Sequence, residues 1–201
     1  MATATASPVA TAPPRSARRP RVLLVGAAFA AGVSAITVLS ILAVYLQVRA
    51  DNRVGGGTAF PKGTVIQLTP GTMGLVTLLM ASVTMAWAVY ALRNDDRGHA
   101  YAALGLTLVF GIAFMNSTVY LYQQLRLAPT SSPIAALLYA ATGAHLVMVV
   151  LAMAFIVAMG FQALGGQLVG REAEGMNAAA LYWYATVAVD AVLWYAIYVT
   201  K

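Results

Sequence analysis

The chain has no cysteine, only two histidines and only six acidic residues among its 201. Without cysteine there can be no disulfide, thiolate metal site or cysteine nucleophile. Haem or copper held inside a helix bundle needs several histidines, and no His/Asp/Glu cluster here offers three metal ligands. A glycine-rich phosphate loop and a Ser/His/Asp set are missing. So is the pair of glycine- or proline-broken helices that marks an inverted-repeat transporter. Charge is scarce: 9% of residues are charged, against roughly a quarter in a soluble domain. The apolar share is 61% and the mean hydropathy +0.78. A soluble globule of this size cannot hide that much apolar surface. This excludes an ordinary soluble enzyme or nucleic-acid-binding domain and leaves a membrane protein. The net charge of +6 then reads as basic residues flanking spans, with no nucleic acid as partner.

Five apolar stretches reach the ~20 residues that cross a bilayer. They run from Val22 to Val48, Gly71 to Leu92, Tyr101 to Leu125, Ile134 to Leu164 and Ala178 to Thr200. The connections are short and rich in glycine, proline or charge, and none can fold alone. The expected fold is all-α: one polytopic bundle of five transmembrane helices over residues 22–200. Residues 1–21 form a basic tail with Arg15, Arg18, Arg19 and Arg21, too poor in apolar residues to fold. The first stretch is longer than a signal-peptide core and lacks a small-residue cleavage site after it, so it reads as an uncleaved helix.

Basic residues set the direction. With the N-terminus cytoplasmic, the inner side holds Arg15, Arg18, Arg19, Arg21, Arg93, Arg97 and Arg171. The outer side holds Arg49, Arg53, Lys62, Arg126 and Lys201. The bias is strongest at the first helix, which places the N-terminus inside and the C-terminus outside a cell membrane.

Few polar groups lie within the spans. His145 falls near the middle of the fourth and Asp190 near the middle of the fifth; Asn116 interrupts the third and Thr84 lies in the second. At 1.5 Å rise per residue, His145, Asp190 and Asn116 all sit roughly 14–16 Å from the outer end. An ionisable group at that depth needs a partner or a bundle-facing position. The fourth and fifth helices are joined by a short loop and should be antiparallel neighbours. A His145–Asp190 contact is expected, with Asn116 or Thr84 nearby. The cluster reads as an interhelical clamp or as a proton site. Gly105, Gly111 and Gly143 should allow close helix approach. Tyr182, Trp183 and Tyr184 at one end of the fifth helix, and Trp194, Tyr195 and Tyr198 at the other, read as interfacial belts.

Several segments, in order, resemble subunit III of haem-copper terminal oxidases, in its short five-span bacterial form. Ser82-Val83-Thr84-Met85-Ala86-Trp87-Ala88 is similar to the family's Ser-x-Thr-x-x-x-Ala stretch, and Asp96-Arg97 to its Asp-Arg turn. Gly111-Ile112-Ala113-Phe114 and Tyr120-Leu121-Tyr122 resemble Gly-x-x-Phe and Tyr-Glu-Tyr. Thr142-Gly143-Ala144-His145 resembles Thr-Gly-Phe-His. Glu174-Gly175-Met176 and Ala179-Ala180-Leu181-Tyr182-Trp183 resemble the approach to the last helix. The departures are specific. The family's glutamate falls on Leu121, its second histidine on Met148, and its His-Phe-Val-Asp on Tyr184, Ala185, Thr186 and Val187. Its second-helix histidines fall on Val89 and Tyr90. Asp190 is one helical turn beyond Val187, on the same face, so the carboxylate can have moved beside the retained His145.

The resemblance implies a non-catalytic accessory subunit of a respiratory oxidase of the cytochrome c oxidase type, with no cofactor of its own. Haem and copper would belong to the catalytic subunit I and to subunit II. It implies support of assembly and proton uptake, and a phospholipid cleft between the first two helices and the other three. Arg93 and Arg97 are the candidates for lipid phosphate. A quinol oxidase or nitric oxide reductase complex, or a stand-alone proton-linked carrier, are the alternative settings.

Overall fold

The computed structural model describes residues 21–54, 60, 68–125, 127–164 and 172–200. Residues 1–20 of the expected tail over residues 1–21, and Lys62, Arg126, Arg171 and Lys201, lie outside the described residues. Five helices follow in order: α1 (Val22–Asp51), α2 (Leu68–Arg93), α3 (Arg97–Leu125), α4 (Pro133–Leu164) and α5 (Glu172–Trp194). The last runs on into a π-helical turn, Tyr195–Val199. All five are long and apolar enough to cross a membrane, which makes this a multi-pass membrane protein.

The helices are apolar on every face, as lipid demands, so their packing is set by small residues and local bonds rather than by an amphipathic stripe. Fully buried Ala81, Ala103, Ala135, Ala141, Ala152, Ala178 and Ala179 let backbones approach. At Gly111 a Cβ would stand 2.7 Å from Met153 Sδ. At Gly105 and Gly143 it would meet nothing; these two face open space, contrary to the packing role expected of them.

The α2–α3 hairpin turns within residues 94–96. Asp95 adopts a positive φ of 57°, which a short polar side chain tolerates. Asp96 caps α3: its Oδ1 accepts from His99 N at 3.2 Å and its Oδ2 meets His99 Nδ1 at 2.6 Å. That backbone bond, then the imidazole, holds the Asp96 carboxyl below its ordinary pKa.

The most buried helix is α5, which packs against α1, α4 and α2, while α2 also lies along α3. A cleft between α1–α2 and α3–α5 is therefore not how the bundle divides. α1 packs on α5 and α4, and α2 packs on α3 and α5. The cause is connection length. Residues 52–67 can span several helix widths at over 3 Å per residue, whereas the short α2–α3 turn forces those two together.

Both ends of α5 are tied to α1. Glu174 Oε1 accepts from Leu24 N at 3.5 Å, in the first turn of α1. At the opposite end Arg49 is buried, 4% exposed. Its Nη1 donates to Ala196 O at 2.9 Å and Thr200 Oγ1 at 3.3 Å, and its Nη2 donates to Thr200 O. A residue expected only to flank a span is thus the cap of the last helix. The aromatic belts are also only partly present. Trp183, Tyr182 and Tyr198 are core residues, whereas Tyr184 and Tyr195 are exposed. Tyr182 is drawn inward by its hydroxyl contact with Ser34 Oγ, 3.0 Å away.

Candidate polar site in the bundle

Phe114, Ser117, Thr118 and Leu121 recur at i, i+3, i+4 and i+7, so they share one face of α3. That face lines a cavity of about 40 Å³ bounded also by α2, α4 and α5. His145 reaches it from α4 and Asp190 from α5. His145 Nδ1 stands 3.6 Å from Asp190 Oδ1, so the two groups expected to meet do lie together. Both residues are buried, 2% and 8% exposed. The distance exceeds that of a hydrogen bond; it is an ion-pair-range contact in an apolar setting.

The imidazole is held on two other sides. Its Nε2 lies 3.1 Å from Thr186 O, and the Phe114 ring meets it edge-on, with centroids 5.6 Å apart. Gly71 and Gly74 keep the α2 wall low. A Cβ on Gly71 would fall 2.5 Å from the Tyr198 ring, and one on Gly74 3.3 Å from Phe114. Trp194 Nε1 donates to Thr72 Oγ1 at 3.1 Å, tying α5 to α2 beside the cavity.

Two expected members lie elsewhere. Asn116 is exposed on the outside of α3, because it falls off the face that Phe114, Ser117 and Leu121 define. Thr84 lies ten residues beyond Gly74 along α2, about 15 Å. It meets Thr107 Oγ1 at 2.8 Å across the α2–α3 interface. Arg93 and Arg97 are exposed at the other end of the bundle, and Arg93 Nη2 donates to Asn177 Oδ1 at 2.9 Å. Sequence reading missed Ser117, Thr142 and Tyr198 as cavity-wall residues. The phase of α3 relative to Phe114 was the available signal for Ser117. Among the described residues no three His, Asp or Glu side chains gather as a metal site.

A family model described as cytochrome c oxidase subunit III matches residues 29–201. The chain belongs to the cytochrome c oxidase subunit III family. Relatives include a probable cytochrome c oxidase subunit 3 of Rickettsia conorii, 32% identical over 109 residues, which is 53% of this chain and 38% of that protein. Cytochrome c oxidase subunit 3 of Strongylocentrotus purpuratus is 27% identical over 145 residues, 71% of this chain and 56% of that protein. That of Bos taurus is 27% identical over 147 residues, 72% of this chain and 55% of that protein. The chain thus spans between about two fifths and just over half of the length of these subunit 3 relatives. Leu121, where the resemblance puts the subunit III glutamate, lines the same cavity as Asp190.

Proposed function

We propose that the chain is a non-catalytic accessory subunit of a respiratory haem-copper oxidase. The observation that carries this reading is the family match over residues 29–201. A bundle in which, among the described residues, one buried acid–base pair is flanked by helices of alanine, leucine and valine offers packing rather than redox chemistry. Its partners on this reading are the catalytic subunit I and subunit II, which hold the haem and copper. The helices expose long apolar faces, with Phe29, Val33 and Ile36 on α1 each about two-thirds exposed or more. These faces are available to lipid and to a partner subunit alike.

The N-terminus lies on the cytoplasmic side and the C-terminus outside, by the positive-inside count. In that orientation the exposed Arg93 and Arg97 stand at the inner membrane edge. A guanidinium there can meet lipid phosphate, with Arg93 already steadied by Asn177. Deleting the chain tests the non-catalytic role. The oxidase isolated without it should keep its haem and copper per catalytic subunit but lose subunit cohesion. A stoichiometric loss of haem or copper on deletion would contradict the reading.

A further inference from the structure

The tautomer of His145 is fixed by its neighbours. Thr186 O can only accept, so Nε2, 3.1 Å away, must carry a hydrogen. In the neutral ring Nδ1 is then a bare acceptor, and it faces the Asp190 carboxyl at 3.6 Å. With Asp190 ionised as well, two acceptors and a net negative charge would stand together in an apolar interior. One proton removes the conflict. On Asp190 it gives a neutral acid beside a neutral imidazole; on Nδ1 it gives a carboxylate beside an imidazolium. The net charge is zero either way.

The cavity wall suits that proton's exchange. Ser117 Oγ donates to Pro70 O at 3.3 Å, Thr118 Oγ1 to Phe114 O at 3.1 Å and Thr142 Oγ1 to Leu138 O at 2.8 Å. Each hydroxyl hydrogen is committed to a carbonyl, so the Ser117 and Thr118 oxygens are left as acceptors on the cavity wall, while Thr142 Oγ1 accepts from the Tyr122 hydroxyl at 2.7 Å. Such a wall fits a donor such as water or hydronium. A volume of about 40 Å³ is large enough to admit water. The cavity reaches the first turn of α2 at Pro70 and the π-helical turn after α5 at Tyr198, and the Asp190 side chain is 12% exposed.

We propose that Asp190 and His145 hold one exchangeable proton between them, and that the acceptor-lined cavity passes it, as hydronium, between the pair and water at the α5-terminal end of the bundle. On uptake, hydronium gives its proton to Asp190 Oδ and leaves water; release reverses this, and no electron moves. Other titratable groups around the pair are few. α2 and α3 contribute none to the cavity wall, and the π-helical turn contributes Tyr198. Tyr122 on α3 is bonded to Thr142 at 2.7 Å. From α1, Arg49 is engaged with the carbonyls of Ala196 and Thr200, and Tyr45 is buried in the same core.

The chain has two histidines, so ¹⁵N-histidine labelling of the chain in its complex gives two rings, assigned with His99→Gln. On transfer to D₂O, a deuterium isotope shift should appear as promptly as at the exposed His99, on His145 Nδ1 or on the ¹³C-labelled Asp190 carboxyl, whichever holds the proton. The shift should be lost in Asp190→Asn, whose amide donates to Nδ1 instead. Thr118→Leu, which fills the cavity and breaks no interhelical bond, should slow it. Signals at both His145 Nδ1 and the Asp190 carboxyl that stay unshifted while His99 exchanges would overturn the proposal and leave a sealed clamp. Unchanged kinetics in Thr118→Leu would overturn the cavity as the route.

Discussion

Arg49 offers the most quantitative test of how the bundle is held. It is a buried cation whose hydrogen-bond partners are the end of another helix: Ala196 O, Thr200 Oγ1 and Thr200 O. Replacing it with Gln removes the charge and the forked donor together. The loss is limited, because Ala196 O keeps a bond from Thr200 Oγ1 at 2.7 Å. Thr200 is exposed, so water can reach its carbonyl. What disappears is about one charge-assisted bond plus the favourable cation at a helix C-terminus, roughly 2–3 kcal/mol. For a domain of this size 1 kcal/mol shifts Tm by about 2–4 °C, so a fall of about 4–12 °C is expected. Arg49→Lys keeps the charge but not the fork, and should lose about half as much. The assay is thermal unfolding of the detergent-solubilised protein by circular dichroism. An Arg49→Gln variant melting within about 1 °C of the wild type would refute the reasoning, because even a small net hydrogen bond is worth more.

Breaking the buried pair should distinguish a lost partner from a lost charge: Asp190→Ala should weaken retention of the chain in its complex by roughly 3–5 kcal/mol. Asp190→Asn should retain most of it; equal losses on native gels would contradict the pairing. Gly71→Val should destabilise by about 1–3 kcal/mol, because its Cβ would meet the rigid Tyr198 ring. Gly111→Ala should be near neutral by thermal melting, because Met153 is flexible and alanine gains helix propensity. The cap at Asp96 has a pH signature. Its folded pKa lies below the ordinary 3.8, so its contribution is present above that value and lost as pH falls through the lower folded one. Asp96→Asn should remove that acid-side slope in equilibrium unfolding, and an unchanged slope would assign it to other carboxylates.

The spans were legible because each is apolar all round and bounded by charge, proline or glycine. The helices run past those limits where caps extend them. α3 begins at Arg97, behind its Asp96 cap, and α1 continues to Asp51. That His145 and Asp190 lie at matching levels of neighbouring helices was also legible, since rise per residue sets the level. Which helices touch was not. A helix without a polar face carries no sign of its inward side, so the α1–α2 cleft, the packing roles of Gly105 and Gly143 and the belt role of Trp183 were misread. Asn116 shows the same limit: its depth follows from counting, but its outward direction follows from the phase that Phe114 and Leu121 impose. Arg49 was read as a flanking charge because nothing in the sequence links it to residues 196–200.

On the proposed reading this subunit III family chain works inside an oxidase. Affinity purification of the tagged full-length chain from native membranes in mild detergent, followed by an optical spectrum and native mass spectrometry, tests it directly. The eluate should give a reduced-minus-oxidised haem spectrum and a mass that includes a larger haem- and copper-bearing partner. A chain that elutes alone and haem-free, yet moves protons when reconstituted by itself in liposomes, would contradict that reading.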